Sequence, residues 1–201
     1  MEVSRWMTRG PAVVGSNENL AIVKEKMEQG GFHRVPVVDN GKLIGIVSDR
    51  DLRQHLGALE RVKVNGAMTQ PVVTVTPTTM LEQAANLMAR HKIGGLPVIE
   101  QDKLVGIITA TDLMRAFAEV LGGVQEGVSR IDLSLGADSS ELAMVVQLAA
   151  QESCEILGVG SYPAGEEGGQ RVAYLRVRSG DASRVARMLT DKSYKVLSIH
   201  S

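Results

Sequence analysis

The sequence predicts an α/β chain in three parts: two copies of a strand–helix–strand–strand–helix unit, then one unit with the order βαββαβ. Three observations lead there. Residues 3–117 repeat themselves at a constant offset of 61 with no gap. Within each copy, short apolar runs alternate with stretches of helical period. After Leu121 the recurrence stops and a different alternation of apolar and polar residues begins.

The offset pairs Met7-Thr8 with Met68-Thr69, Val14 with Val75, Leu20 with Leu81 and Met27 with Met88. It also pairs Pro36-Val37 with Pro97-Val98, Lys42-Leu43 with Lys103-Leu104, and Asp51-Leu52 with Asp112-Leu113. This is a tandem duplication. In the first copy residues 12–14 form a short strand. Leu20, Val23 and Met27 mark a helix, with Ser16 or Asn17 as candidate caps. Residues 35–38 and 43–47 form two strands joined by the tight turn Asn40-Gly41, and a helix runs from Asp49 to about Leu56. In the second copy residues 72–75 are the first strand, and Leu81, Ala84, Ala85 and Met88 line a helix. Residues 96–99 and 104–108 pair across Gln101-Asp102. One copy is too small to bury its sheet, so the two are expected to pack together. The expected boundaries are 1–61, 62–121, a linker over 122–129 that holds Gly122-Gly123, and a last domain over 130–201.

In that last part Ile131, Leu133 and Leu135 alternate with Asp132 and Ser134 as a half-buried strand. Asp138-x-x-Glu141 reads as a capping box before a helix carrying Leu142, Val145, Val146 and Ala149. Residues 156–162 and 173–177 are strands separated by a polar, glycine-rich loop over 163–170. Ala182, Val185, Ala186 and Leu189 mark a second helix, and 195–200 a final strand. The order βαββαβ is the split-βαβ, ferredoxin-like pattern, with both helices on one face of an antiparallel sheet.

The chemistry concentrates in one duplicated corner, Gly45-Ile46-Val47-Ser48-Asp49-Arg50-Asp51 and Gly106-Ile107-Ile108-Thr109-Ala110-Thr111-Asp112. In each, a strand leaves a glycine, meets a hydroxyl and enters a helix three positions before an aspartate. The simple reading is an N-cap with a carboxylate bonding back to it. The functional reading starts from the same geometry. A helix N-terminus offers unpaired N–H groups and positive potential to a phosphate, and the aspartate is an acceptor for a ribose diol. Gly45 and Gly106 would admit a ligand or another backbone.

With Val-Pro-Val-Val-Asp at 35–39, Leu-Pro-Val-Ile-Glu at 96–100 and Met-Thr opening each copy, the repeats resemble tandem CBS domains, a Bateman module. The C-terminal βαββαβ resembles an ACT domain by element order, and the combination is similar to AcuB-type acetoin-utilisation regulatory proteins. The resemblance implies a sensor that binds adenine nucleotides (AMP, ADP or ATP) between the repeats, without chemistry, each site borrowing from both. Thr109 and Asp112, with Thr111, would face Val14, Phe32, His33 and Arg34. Ser48 and Asp51 would face Val75, Thr76, Gly94 and Gly95. It further implies that the aspartates take ribose hydroxyls, that Ser48 and Thr109 lie near phosphate, and that Arg34 and Arg50 supply charge to it. Because Gly94-Gly95 replace His33-Arg34 in the second copy, the cationic charge is expected to be one-sided and the affinities unequal. The resemblance implies a homodimer joined by the ACT-like domain, with an unidentified protein target downstream. Ser140 stands about where amino-acid-binding ACT domains often carry glycine, which favours subunit pairing over amino-acid binding.

Composition sets the outer limits. Net charge is −1 and mean hydropathy near zero, so no basic field calls for nucleic acid. The single cysteine, Cys154, excludes an internal disulfide framework and fits a cytoplasmic protein, and no apolar run is long enough for a membrane. His33 has no nucleophile at matching spacing, His91-Lys92 read as helix-end charges, and no zinc spacing or Walker loop occurs, so no enzyme and no metal is expected. The rival reading is a non-catalytic interaction scaffold whose clefts are empty or hold a non-nucleotide ligand.

Overall fold

A computed structural model describes residues 1–120, 126–136, 138, 140–165 and 169–200. Contacts divide the chain into Met1–Phe117 and Ala118–Ser201. Half of the linker expected between the repeats and the last domain, Gly122-Gly123 included, lies outside the described residues, as do Ala137, Ser139 and part of the 163–170 loop.

In the first unit a 3-10 turn at Val3–Arg5 leads to β1 (Thr8–Arg9). There follow α1 (Leu20–Gly30), β2 (Arg34–Asp39), β3 (Lys42–Ser48) and α2 (Asp49–Gln54). A second 3-10 turn at Val64–Gly66 leads to α3 (Leu81–His91), β4 (Gly95–Glu100), β5 (Lys103–Thr109) and α4 (Ala110–Val120), which runs past the unit boundary. The hairpins β2–β3 and β4–β5 pair antiparallel in identical register, Val37 on Gly45 and Val98 on Gly106. Asn40-Gly41 takes positive φ at both positions, and so do Gln101 and Asp102, which lack that pair's glycine.

The expected first strands shrink to single bridges, Val14 on Val37 and Val75 on Val98. They keep the outer edge of β2 and β4, while the opposite edge of each hairpin is covered by a segment from the other copy. β1 pairs with β5 through Thr8 on Ile107, and Thr69 pairs with Ile46 of β3. The exchange extends upstream. The Val3 amide donates to the Thr79 carbonyl and the Val64 amide to that of Glu18, each at 61 residues from its counterpart. Val3, Trp6 and Met7 sit in the core with Leu81, Leu96 and Ile108, whereas Val64 sits with Leu20, Val35 and Val47. Each repeat's leading segment therefore completes the other repeat's core. Gly45 and Gly106 serve this exchange. A Cβ on Gly106 would lie 2.6 Å from Met7 Sδ and 2.9 Å from the Thr8 carbonyl oxygen, and one on Gly45 would lie 2.4 Å from Met68 Sδ. The close approach those glycines allow is to the chain itself.

Two cap expectations change. The α1 N-cap is Asn19, without a side-chain bond, because Ser16 is drawn to β2. Its amide donates to Asp39 Oδ1 at 3.1 Å and its hydroxyl to Asp39 Oδ2, which holds the Asp39 carboxyl below its ordinary pKa. In the second unit Asp138 and Glu141 do not form a reciprocal box. Glu141 Oε2 accepts the Gly136 amide at 2.8 Å, and Asp138 Oδ1 accepts the Ser140 amide at 2.9 Å.

The second unit contains β6 (Val128–Leu135), α5 (Ser140–Gln151), β7 (Ile156–Pro163), β8 (Arg171–Arg178), α6 (Ser179–Asp191) and β9 (Lys195–His200). The strands lie in the order β7-β8-β6-β9, every neighbour antiparallel. Ile131, Leu133, Ala173, Leu175 and Val177 point to one face and meet Val145 and Ala149 of α5 and Ala182, Val185 and Leu189 of α6. Cys154 packs at the edge of this core, its thiol donating to the Ala149 carbonyl, with burial raising its pKa. On the other face Arg130 bonds Asp132 at 2.7 Å and lies over the Tyr174 ring.

Candidate functional site

Each duplicated corner folds as its local sequence requires. β3 stops at Ser48, whose extended backbone turns directly into α2, and Asp51 on the first turn reaches back. Asp51 Oδ2 accepts the Ser48 amide and the Ser48 hydroxyl, both at 2.7 Å. Asp112 Oδ2 accepts the Thr109 amide at 2.9 Å and the Thr109 hydroxyl at 2.6 Å. The capping reading of Ser/Thr-x-x-Asp is thus correct, and it occupies one oxygen of each carboxylate. The second oxygen differs between copies. Asp112 Oδ1 accepts Arg115 Nη2 at 3.0 Å, while among the described residues Asp51 Oδ1 has no partner.

The helix ends are less open to a phosphate than the sequence implies. The Asp49 amide donates to the His33 carbonyl and the Ala110 amide to the Gly94 carbonyl, both at 3.0 Å. The first turn of each helix is therefore tied to the β2 or β4 entry, and anion attraction falls to side chains.

Two cavities lie against these corners. One, of about 550 Å³, is lined by Thr109, Thr111 and Asp112 together with Phe32, His33, Arg34, Gly94, Thr8, Gly10, Pro11 and Ala12. The other, of about 480 Å³, is lined by Ser48, Asp49, Arg50 and Asp51 with Arg34, Gly94, Gly95, Thr69, Pro71, Val72, Val73, His91 and Lys92. Both volumes fall in the range of small-molecule sites. A shift of 61 residues carries nearly every wall residue of the first cleft onto one of the second. Thr8 and Thr69, Pro11-Ala12 and Val72-Val73 owe their positions to the exchanged leading segments.

Of the residues singled out from sequence, Thr109, Thr111, Asp112, Phe32, His33 and Arg34 meet in the first cleft. Ser48, Arg50, Asp51, Gly94 and Gly95 meet in the second. Val14 and Val75 do not reach these clefts. Each bridges to the neighbouring strand and is buried in a core, so the apolar walls are the residues two to three positions earlier. Thr76 lies on a different surface, with Thr79 and Arg90. The residues missed from sequence are those of the leading segments, together with His91 and Lys92, read as helix-end charges only. The 61-residue offset held the signal, since Gly30-Gly31 beside Phe32 maps onto His91-Lys92.

The cationic charge is unequal between the clefts, and the second carries more of it. The second cleft carries Arg34, Arg50, Arg53 and Lys92 against Asp49 and Asp51, while the first carries Arg34 against Asp112. Arg53 is partly committed, at 3.1 Å from Asp49. Arg34 enters both walls because Gly94 and Gly95 leave room: a Cβ on either would lie 2.7 Å or 2.5 Å from a guanidinium nitrogen. Burial lowers the Arg34 pKa and the nearby Asp49 carboxylate opposes that shift. Among the described residues no group of three or more His, Cys, Asp or Glu is placed to hold a metal ion, and no helix is long and apolar enough to cross a membrane.

The CBS domain family model matches residues 3–58 and 62–119. Three solved structures resemble the same part of the chain. A putative acetoin utilization protein (AcuB) from Vibrio cholerae is 37% identical, with 60% of this chain and 93% of that one covered and a TM-score of 0.56. The CBS domain pair of protein MJ0100, in complex with 5-methylthioadenosine and S-adenosyl-L-methionine, is 26% identical over 59% of this chain and 97% of that one, with a TM-score of 0.56. CBSX2 in complex with AMP is 30% identical over 60% of this chain and 98% of that one, with a TM-score of 0.53. With two matched copies that build two related clefts, the chain belongs to the CBS-domain family.

Proposed function

We propose that this protein is a regulatory sensor of adenosine-containing ligands, adenine nucleotides foremost, which bind in both clefts. The observation that carries this reading is the pairing, in each cleft, of an Asp carboxylate with a cationic group across the cavity. Asp51 would accept the ribose hydroxyls through the oxygen its cap leaves over, Asp112 through an Oδ1 that it shares with Arg115, and Arg34 and its neighbours would take the phosphate. Pro11-Ala12 and Val72-Val73 offer apolar surface for the base. Relatives of this chain hold AMP, 5-methylthioadenosine and S-adenosylmethionine, which share the adenosine part and differ in charge. The charge of the second cleft suits the more anionic ligand, the first cleft the less anionic one.

The reading extends to the second unit. Its element order and sheet order support a ferredoxin-like, ACT-like reading, and exposed Val159, Tyr162, Leu197 and Ile199 lie on its two outer strands. This unit would join two subunits, so that ligand occupancy acts by favouring one arrangement of the dimer over another. The likeness to an acetoin utilization protein supports a regulatory role of the AcuB type, without catalysis. Calorimetric titration of the purified chain with AMP, ATP, NAD and S-adenosylmethionine tests the proposal. Saturable binding of an adenine nucleotide at two sites per chain is expected. Silence from all four refutes it and leaves the interaction scaffold.

A further inference from the structure

We propose that Arg34 couples the two clefts, so that an anionic ligand in one lowers the affinity of the other for a second anion. This rests on the reading that the clefts bind phosphate-bearing adenosine ligands. Arg34 opens β2, and its guanidinium lies on the Gly94-Gly95 backbone at the entry to β4, in the wall of both cavities. The equivalent position in the second copy is Gly95, so the duplication supplies one guanidinium here for two symmetry-related anion positions.

Among the described residues that guanidinium makes no hydrogen bond. Asp49 attracts it only through space, and partial burial works against its charge. Its N–H donors are thus uncommitted until an anion arrives. A guanidinium presents its donors as a rigid planar fork, so turning the fork fully to a phosphate on one side withdraws it from the other. The bound anion also cancels the positive field that the second cleft would feel. Both effects have the same sign, and the coupling is antagonistic. Coupling between sites commonly spans about 5- to 150-fold in affinity, and a shared side chain with no other partner is expected to give about tenfold. A neutral nucleoside makes no demand on the fork and should show no coupling.

The test is calorimetry on the full chain with AMP and with adenosine, comparing wild type with Asp51→Asn, Asp112→Asn and Arg34→Gln. Each aspartate variant weakens its own cleft, so that the other fills first and is read with its neighbour empty. In wild type the second AMP should bind about tenfold more weakly than the same cleft binds it when its neighbour is empty. Arg34→Gln, checked by circular dichroism for an intact fold, should weaken both clefts and bring that ratio within twofold of unity. Adenosine should give a ratio near one throughout. Two AMP sites that fill independently in wild type overturn the coupling but leave the sensor reading intact. A tenfold ratio that survives Arg34→Gln overturns the role of Arg34. Absence of any AMP binding to wild type removes the cleft reading and the coupling with it.

Discussion

The exchange of leading segments makes an unusual demand on Val3 and Val64. Val3 is fully buried, 0% exposed, yet its core belongs to the second repeat, and Val64, also at 0%, fills the first. Replacing Val3 by Ala removes two methyl groups, about 0.8 kcal/mol each in transfer free energy. The void they leave adds to this, because the neighbours Leu81 and Leu96 are held by a helix and a sheet, so about 2–3 kcal/mol is expected. For a unit of this size an unfolding entropy of about 2 cal/mol/K per residue converts that into a drop in Tm of about 10 °C. Thermal melts of Val3→Ala and Val64→Ala measure the size of the effect, and amide hydrogen exchange measures its location. Val3→Ala should speed exchange first in α3, β4 and β5, and Val64→Ala in α1, β2 and β3. A Val3→Ala protein within about 0.5 kcal/mol of wild type, the level of an ordinary surface change, would refute the exchange. So would faster exchange confined to the first repeat.

Other consequences follow from single contacts. Asp51→Asn and Asp112→Asn should each weaken AMP at their own cleft about 10- to 100-fold, the worth of a hydrogen bond to a charged group, read by calorimetry. Changing Gln101-Asp102 to Asn-Gly copies the first hairpin into the second, where both residues now hold positive φ. That double variant should gain about 1 kcal/mol in urea unfolding. The Ser16 contacts lower the folded-state pKa of Asp39 below its unfolded value, so they stabilise the fold above the unfolded pKa of about 3.9 and lose that contribution as pH falls through the lower folded value. Ser16→Ala should therefore be less stable than wild type at neutral pH and converge with it in acid melts.

Much of this architecture is legible in the residues. The hairpins were readable because Pro-Val-Val and Gly-Ile-Val runs alternate around a turn, and register follows from which face is apolar. The βαββαβ order of the second unit was readable for the same reason. The leading segments were not, because a repeat period reveals that Met7-Thr8 and Met68-Thr69 are equivalent without revealing which copy each one joins. That ambiguity displaced the apolar walls of the clefts from Pro11-Ala12 and Val72-Val73 to Val14 and Val75. Which cleft carries the surplus of charge was hidden for a related reason. Gly94 and Gly95 read as missing cations, whereas their lack of side chains lets Arg34 reach the second cleft, and His91 and Lys92 come with it. Glu141 shows the limit of local motifs, since a backbone amide outside the helix, that of Gly136, competed for its carboxylate.

The central claim is that Asp51 and Asp112 each hold a ribose across a cleft from a cation. A crystal structure grown with saturating AMP tests it most directly. The account predicts nucleotide in both clefts, ribose hydroxyls on the two carboxylates and phosphate toward Arg34. Empty clefts, or AMP bound with its ribose away from both aspartates, would contradict it.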